Sequence, residues 1–153
     1  MSKQSNLFLG HAGQLAVMSE LLSRGWNVAV PQVDIGDDVL VIDDEDGSFY
    51  RIQVKTASAS HRKSSYGLRF RLPLQQLSQP RSADLTYILV GRFNEQWDLF
   101  LIIPRPELYR LYLQHKIGST IDNSVVLYVR CENDQVTCSG QHLTRFRANW
   151  NRF

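Results

Sequence analysis

Two short polar patterns between residues 34 and 55 hold oxygen ligands and a lysine at regular spacing. The first contains Asp34, Gly36 and Asp38; the second, after a predicted strand and a turn, contains Gln53 and Lys55. Carboxylate and amide oxygens are ligands that Mg²⁺ accepts. A metal ion held in this way stabilises charge on a scissile phosphate, and a lysine helps to activate or orient the attacking water. The pattern therefore predicts metal-assisted hydrolysis of a phosphodiester.

A predicted β-hairpin positions these side chains. Residues 39–42 form an apolar run, Asp46-Gly47 is a hairpin turn signal, and residues 49–55 alternate between apolar and polar side chains. Gln53 and Lys55 are two residues apart, so they share one face of the second strand. An aspartate at the start of the first strand would meet both groups on that face.

Each pattern alone is ordinary, since Asp-x-Gly-x-Asp is usually a turn with solvated acids and Gln-x-Lys is usually the wet face of a strand. Their order, their spacing and the helix placed before them favour the catalytic interpretation. Periodicity does not separate Asp37 from Asp38 as the metal ligand. Asp34 either binds the metal or caps the turn.

The rest of the pattern predicts one α/β domain over residues 1–153, built around one mixed sheet. Its catalytic core spans about 6–104, and residues 105–153 serve packing or oligomerisation. A helix is expected at 6–24, and 56–65 has almost no apolar residue, which indicates a mobile surface loop. The other predicted elements are strands at 26–30, 66–72, 85–90 and 99–103, a short helical turn after Pro73, a helix at 104–115, and a hairpin of 124–130 with 135–138.

Residues 10–56 resemble the PD-(D/E)XK nuclease superfamily, and among its members most closely archaeal Holliday-junction resolvases and cyanobacterial intron-encoded homing endonucleases. The resemblance rests on Gly13, Gly25, Pro31, the Asp34-x-Gly36-x-Asp38 element and Gln53-Val54-Lys55-Thr56. It implies a restriction-endonuclease-like core, in which helices flank a mixed central β-sheet. It also implies that Asp38 is a metal ligand, that Gln53 takes the position of the motif's second acid, and that Lys55 is the catalytic lysine.

Two positions depart from that motif. Gln53 replaces the usual Asp or Glu, and an amide oxygen binds Mg²⁺ without adding negative charge, which lowers metal affinity. Related families carry a glutamate just after the helix glycine, where this chain has Gln14. One hypothesis is that Gln14 is an engineered replacement of a glutamate, in an inactivated form that traps uncleaved DNA. The alternative is that activity is carried naturally without a carboxylate there.

Basic residues follow the Lys55 strand, where substrate must lie. The charged side chains of the predicted loop would bind phosphates without reading sequence, and two arginines on one face of the next strand would reach base edges. The candidates for DNA contact are His61, Arg62, Lys63, Tyr66, Arg69 and Arg71. The alternative is a solvated arginine face beside a disordered loop.

The resemblance implies a Mg²⁺-dependent endonuclease acting on double-stranded DNA, with Mn²⁺ as a substitute metal. The N-terminus has no basic start followed by an apolar run, which predicts a cytoplasmic protein. We predict a site-specific homing endonuclease; the alternatives are a junction-selective resolvase or a DNA-binding module that has lost catalysis. One such site cuts one strand, so a double-strand break calls for a homo-oligomer, a dimer or a tetramer. No apolar stretch is long enough to cross a membrane. The candidates for the oligomer interface, which could equally be plain hydrophobic core, are Leu108, Tyr109, Tyr112, Trp150 and Phe153.

Overall fold

The strands of the chain form two sheets, and helices pack against them. The computed structural model describes residues 3–33, 35–62 and 64–153, with side chains for all of these except Lys3, Ser60, His61 and Arg62. The helices are α1 (Lys3–Ser23), α2 (Leu74–Ser78) and α3 (Arg105–His115). The strands are β1 (Asn27–Ala29), β2 (Val39–Ile42), β3 (Phe49–Ser58), β4 (Ser60–Arg62), β5 (Ser65–Pro73), β6 (Leu85–Phe93), β7 (Gln96–Pro104), β8 (Ser119–Ile121), β9 (Ser124–Glu132), β10 (Gln135–Cys138) and β11 (Gln141–His142). Two 3₁₀ turns follow, at Thr144–Phe146 and Trp150–Arg152.

The central sheet is mixed and has the strand order β1-β2-β3-β6-β7. Strands β3 and β6 are parallel, and the other neighbours are antiparallel. Residues 85–90 of β6 are all buried, because this strand lies inside the sheet with both faces covered. The predicted α/β fold with a mixed central sheet is confirmed.

A second sheet, with the order β11-β10-β9-β5-β4 and β8 beside β9, covers one face of the central sheet. The prediction of one sheet was therefore wrong. In β5 the side chains of Leu68, Phe70 and Leu72 are buried while their neighbours Arg69 and Arg71 are exposed. A strand with one apolar face belongs in an antiparallel sheet that is open to water on the other side.

Two hydrophobic cores lie on opposite faces of the central sheet. On one face α1 places Val17 and Leu21 against strands β2, β3, β6 and β7. On the other face the second sheet, α2 and α3 enclose the larger core. Leu108 lies in this larger core and Trp150 in the core beneath α1, so neither residue needs a second copy of the chain for its burial.

The segment predicted as a mobile loop, residues 56–65, is largely strand. Strand β3 continues beside β6 as far as the pair Ser58 and Arg92, and β4 pairs with β5. A parallel strand gains its hydrogen bonds from its neighbour whatever the polarity of its exposed side chains, so composition alone was misleading. Lys63 lies outside the described residues.

The N-terminal helix begins three residues before the predicted start, at Lys3, and ends at Ser23. Of the helices that the structure describes, none is both long enough and apolar enough to span a bilayer.

Candidate active site

Asp38 lies immediately before β2, beside the part of β3 that extends past the β2–β3 pairing. The Asp38 backbone N–H donates to Ile52 O at 2.8 Å, which is the last link before the β2–β3 ladder begins. Two residues further along β3, the Val54 N–H donates to the Asp38 carboxylate, Oδ2, at 2.7 Å. The Gln53 side-chain Nε2 donates to the same oxygen. Beyond the first pair of the β2–β3 ladder, the carboxylate thus takes the place of β2 beside β3, where Val54 and Gln53 donate to it.

Asp37 points away from this site and belongs to an ion-pair cluster. Its side chain is buried, with 5% of the residue exposed. Asp37 Oδ2 accepts from Arg51 Nε at 3.0 Å and Nη2 at 2.5 Å, and Oδ1 lies 3.5 Å from Arg81 Nη1. The structure therefore separates two neighbours that periodicity left equal: Asp37 faces two arginines and Asp38 faces β3. Asp34 lies outside the described residues.

Gln14 reaches Asp38 from helix α1. Its Nε2 donates to the Asp38 backbone carbonyl at 2.8 Å, and the adjacent Gly13 lies directly against Thr56 of β3. The helix is thereby held close to the strand that carries Gln53. The structure brings Gln14, Asp38 and Gln53 together.

Lys55 follows Gln53 by two residues on the same strand. Its half-buried position lies in an unbroken parallel register, with Gln53 beside Tyr87 and Lys55 beside Leu89. Side chains two apart in a strand point to one face, so Lys55 shares a face with Gln53. Ile52 and Val54 point to the opposite face, into the core beneath α1.

The sequence analysis missed Gln76, which joins the site from α2. Gln53 is only 6% exposed, and its Oε1 accepts from Gln76 Nε2 at 2.9 Å. Gln76 Nε2 also donates to Gly36 O at 2.9 Å, and its Oε1 accepts from the Tyr87 hydroxyl at 3.1 Å. Burial raises the pKa of the Tyr87 phenol above its ordinary value. No spacing rule links a glutamine in a short helix to a strand 23 residues away, so the sequence held no signal for this contact.

Gly36 allows Gln76 to approach. Its φ is +96°, and a Cβ atom at this position would lie 2.6 Å from Gln76 Nε2. A side chain here would both strain the backbone and displace the amide. The close approach of Gln76 thus explains why a glycine stands at position 36 of the Asp34-x-Gly36-x-Asp38 element.

The donor set suits a hard cation. Gln14, Asp38 and Gln53 supply one carboxylate and two amides, and Mg²⁺ prefers oxygen ligands while keeping several of its waters. Among the residues that the structure describes, no cluster of three or more His, Cys, Asp and Glu side chains occurs. A cation at this position would therefore depend on Asp38 and on amide oxygens.

A basic surface covers the outer face of the second sheet. Arg69 and Arg71 of β5 are exposed, as are Tyr128 and Arg130 of the paired strand β9. The Arg69 guanidinium carbon lies 5.9 Å from the centre of the Tyr128 ring, a cation–π arrangement. We call these four residues the outer arginine face. Tyr128 and Arg130 were missed, although they alternate with the buried residues of β9 just as the β5 arginines do.

Two carboxylates temper the charge of the outer arginine face. Arg71 Nη2 lies 3.7 Å from Asp122 Oδ2, and Arg130 Nη2 lies 3.0 Å from Glu132 Oε2. Both pairs are solvent-exposed, so a polyanion can compete for the arginines at little cost.

Tyr66 does not share the surface of Arg69 and Arg71. It points to the inner face of β5, where it is buried, stacks on Phe93 at 4.5 Å between ring centres, and donates its hydroxyl to Asp98. Of the predicted loop residues, His61 has its backbone in β4, as does Arg62. Their side chains, and Lys63 altogether, lie outside the description.

The chain is similar to known proteins in sequence and in fold. A family model described as PD-(D/E)XK endonuclease matches residues 5–109, more than half of the chain. Among solved structures, a bacterial homing endonuclease, I-Ssp6803I, is similar with a TM-score of 0.55 and 19% sequence identity. That similarity covers 99% of this chain and 90% of the other. At this identity the likeness concerns the fold. No curated protein sequence matches the chain significantly.

Proposed function

Because this chain belongs to the PD-(D/E)XK endonuclease family, we propose that it hydrolyses phosphodiester bonds of double-stranded DNA with Mg²⁺. The observation that carries the proposal is the placement of Asp38. Its carboxylate is held at the point where β2 and β3 part, against Gln53 and Val54, on the strand that also carries Lys55.

In this proposal Asp38 holds the metal ion, and Gln53 contributes an amide oxygen. A bound Mg²⁺ neutralises charge that develops on the phosphate and supplies a more acidic water; Mn²⁺ would substitute for it. Because Asp38 is the formal anion among the three described donors, the site binds its metal weakly until substrate phosphate adds charge. Gln14 positions the Asp38 main chain through its 2.8 Å hydrogen bond to the carbonyl.

Lys55 orients the attacking water and stabilises charge near the phosphate. Its ammonium carries up to three donors on a flexible stem. The strand register directs it to the same face as Gln53, so one rigid element positions both residues. Rigid placement on a strand suits a role that needs alignment within a fraction of an ångström.

We assign DNA binding to the outer arginine face, together with the segment of His61, Arg62 and Lys63. Arginines that alternate along paired strands present guanidinium groups in a row, which suits phosphates and guanine edges. The stacked pair Arg69 and Tyr128 holds one guanidinium in a defined direction. A defined direction favours sequence readout over simple charge attraction.

Site-specific cleavage in the manner of a homing endonuclease is the activity that we favour within the class. Two observations support it: the outer arginine face and the fold shared with a bacterial homing endonuclease. A double-strand break needs two active sites, so we propose a homo-oligomer as the working form.

Cleavage of a pooled duplex library in Mg²⁺ or Mn²⁺ tests the proposal with three proteins. These are the chain itself, its Gln14→Glu variant, and Gln14→Glu combined with Lys55→Ala. We expect cleavage at one sequence, lost with Lys55→Ala; activity restricted to Gln14→Glu would mean that Gln14 replaces a catalytic glutamate. Preference for four-way junctions over every linear duplex would indicate a resolvase. DNA binding without cleavage by any of the three would overturn the enzyme assignment in favour of a binding module.

A further inference from the structure

A chain of hydrogen bonds links Tyr87 to Asp38 through two amide side chains. The Tyr87 hydroxyl donates to Gln76 Oε1 at 3.1 Å. Gln76 Nε2 donates to Gly36 O and to Gln53 Oε1, each at 2.9 Å. Gln53 Nε2 then donates to the Asp38 carboxylate. We call the side chains of Tyr87, Gln76 and Gln53 the amide relay.

Two acceptors beside the relay, the Gly36 carbonyl and the Asp38 carboxylate, dictate one orientation of both amides. An amide donates from nitrogen and accepts at oxygen, whereas the Gly36 carbonyl and the Asp38 carboxylate only accept. Gly36 therefore turns the nitrogen of Gln76 toward itself, and the second N–H of that nitrogen meets Gln53 Oε1. Asp38 requires the nitrogen of Gln53. Both requirements agree, so the relay is satisfied with Gln53 acting as a donor to Asp38.

We propose that Gln76 is a positioning residue that sets which end of the Gln53 amide faces Asp38. It thereby controls how readily Gln53 gives an oxygen to a divalent cation there. This inference rests on the proposed function, in which Asp38 holds the cation.

Reversal of the relay has a defined cost. When Gln53 Oε1 turns toward a cation at Asp38, its nitrogen faces Gln76, which must present its oxygen. Gln76 Nε2 then donates to the Tyr87 hydroxyl, which accepts as well as it donates. Gly36 O then loses the hydrogen bond from Gln76 Nε2. The Gly36–Gln76 hydrogen bond therefore opposes cation binding by Gln53.

Substitution of Gln76 releases this opposition. Gln76→Glu leaves only acceptors at that position, so Gln53 donates to it and turns its oxygen toward Asp38. We expect the Mg²⁺ affinity, measured by isothermal titration calorimetry without DNA, to rise roughly five- to tenfold, the worth of about one hydrogen bond. The exposed neighbour Gln75 provides the control, since Gln75→Glu adds the same charge without contacting Gln53.

A second pair of variants removes the added charge. Gln76→Met takes away both N–H donors and leaves Gln53 free to turn, so the affinity should again rise several-fold, while Gln75→Met leaves it unchanged. Thermal melts show whether each variant folds. If Gln76→Glu does not fold, the comparison of Gln76→Met with Gln75→Met tests the proposal. In a Gln53→Ala background both effects should vanish, because Gln76 acts through Gln53.

Four outcomes would contradict the amide relay, the metal site or both. Equal affinity changes at positions 75 and 76, or a rise that persists with Gln53→Ala, would eliminate the amide relay and leave the metal site intact. If Mg²⁺ binding is absent, or survives Asp38→Asn unchanged, the metal site of the proposed function fails, and the relay's role fails with it.

Discussion

Gly13 of α1 lies so close to Thr56 of β3 that a Cβ atom on the glycine would stand 2.0 Å from the threonine Oγ1. That hydroxyl is buried and has no hydrogen-bond partner within the described part of the chain. The helix and the strand thus touch at the level of Gln14 and Lys55. Their separation determines whether the Gln14 side chain reaches Asp38.

Gly13→Ala should therefore push α1 away from β3. We expect the free energy of unfolding in urea to fall by about 2 kcal/mol, the usual effect of an overpacked core. Gly10 lies in the same helix with no atom within 4 Å of an added Cβ, so Gly10→Ala should stabilise the protein by about 0.5–1 kcal/mol. Equal stabilisation by both substitutions would show that the helix does not pack at Gly13.

Gly36→Ala should damage both stability and the site. At φ +96° an alanine is strained, and its Cβ would lie 2.6 Å from Gln76 Nε2. We expect the free energy of unfolding to fall by about 2 kcal/mol. Gly47→Ala is the control, because Gly47 has φ +75° but open space around it, and it should cost about 1 kcal/mol. A Gly36→Ala protein no less stable than Gly47→Ala would contradict the close contact with Gln76.

The Asp84–Arg105 pair should make stability depend on pH in the acid range. Arg105 is 4% exposed, and its Nε and Nη2 lie 2.6 Å and 2.8 Å from the two carboxylate oxygens of Asp84. The hydrogen bond from Arg105 lowers the pKa of Asp84 below its ordinary value of 3.8. The stabilisation is therefore complete above that value and is lost as the pH falls through the lower folded-state pKa.

Asp84→Ala should reduce the free energy of unfolding at pH 7 by about 3 kcal/mol, because it removes the carboxylate that neutralises a buried guanidinium. In denaturant titrations between pH 7 and pH 2, the free energy of unfolding of the Asp84→Ala protein should fall less with acid than that of the wild type. Glu107→Ala, which breaks more exposed pairs with Arg110 and Arg145, should cost under about 1 kcal/mol. Equal costs for the two substitutions would argue against the buried pair.

The outer arginine face should carry the salt dependence of DNA binding. Arg71→Ala should weaken binding and lower the slope of log Kd against log salt by about one. Tyr128→Ala should leave that slope unchanged and reduce sequence preference, because it frees the Arg69 guanidinium. Arg24→Ala, at the end of α1 on the opposite side of the central sheet, is the control for charge. The assignment fails if Arg24→Ala lowers the slope as much as Arg71→Ala does.

Local spacing was enough to predict the β2–β3 hairpin. The run 39–42 coincides with β2, and the rule that residues two apart share a face correctly joined Gln53 with Lys55. Local signals were insufficient where pairing decides the outcome. Residues 56–62 are polar, yet β6 and β5 offer them partners. The contact of Gln76 with Gln53 depends on the packing of α2, which no sequence period records.

Asp37 and Asp38 show the same limit at one position. Adjacent residues at a strand entrance differ only in direction, and the direction is set by Arg51 and Arg81 on one side and by the Val54 N–H on the other. The sequence contains these partners but not their distances.

Nicking of supercoiled plasmid carrying the selected target, in Mg²⁺, tests the central claim most directly. The starting protein is whichever form cleaves DNA, the chain with Gln14 or its Gln14→Glu variant. It is compared with the same protein carrying Asp38→Asn. Glu45→Gln, in the exposed β2–β3 turn, controls for loss of one acid. We predict that Asp38→Asn lowers the nicking rate by roughly a thousandfold or more, through lost metal catalysis. The DNA affinity of the Asp38→Asn protein and the nicking rate of the Glu45→Gln protein should stay within about threefold of those of the unsubstituted active form. Nicking that survives Asp38→Asn at an unchanged rate would contradict the assignment of this site as the catalytic centre.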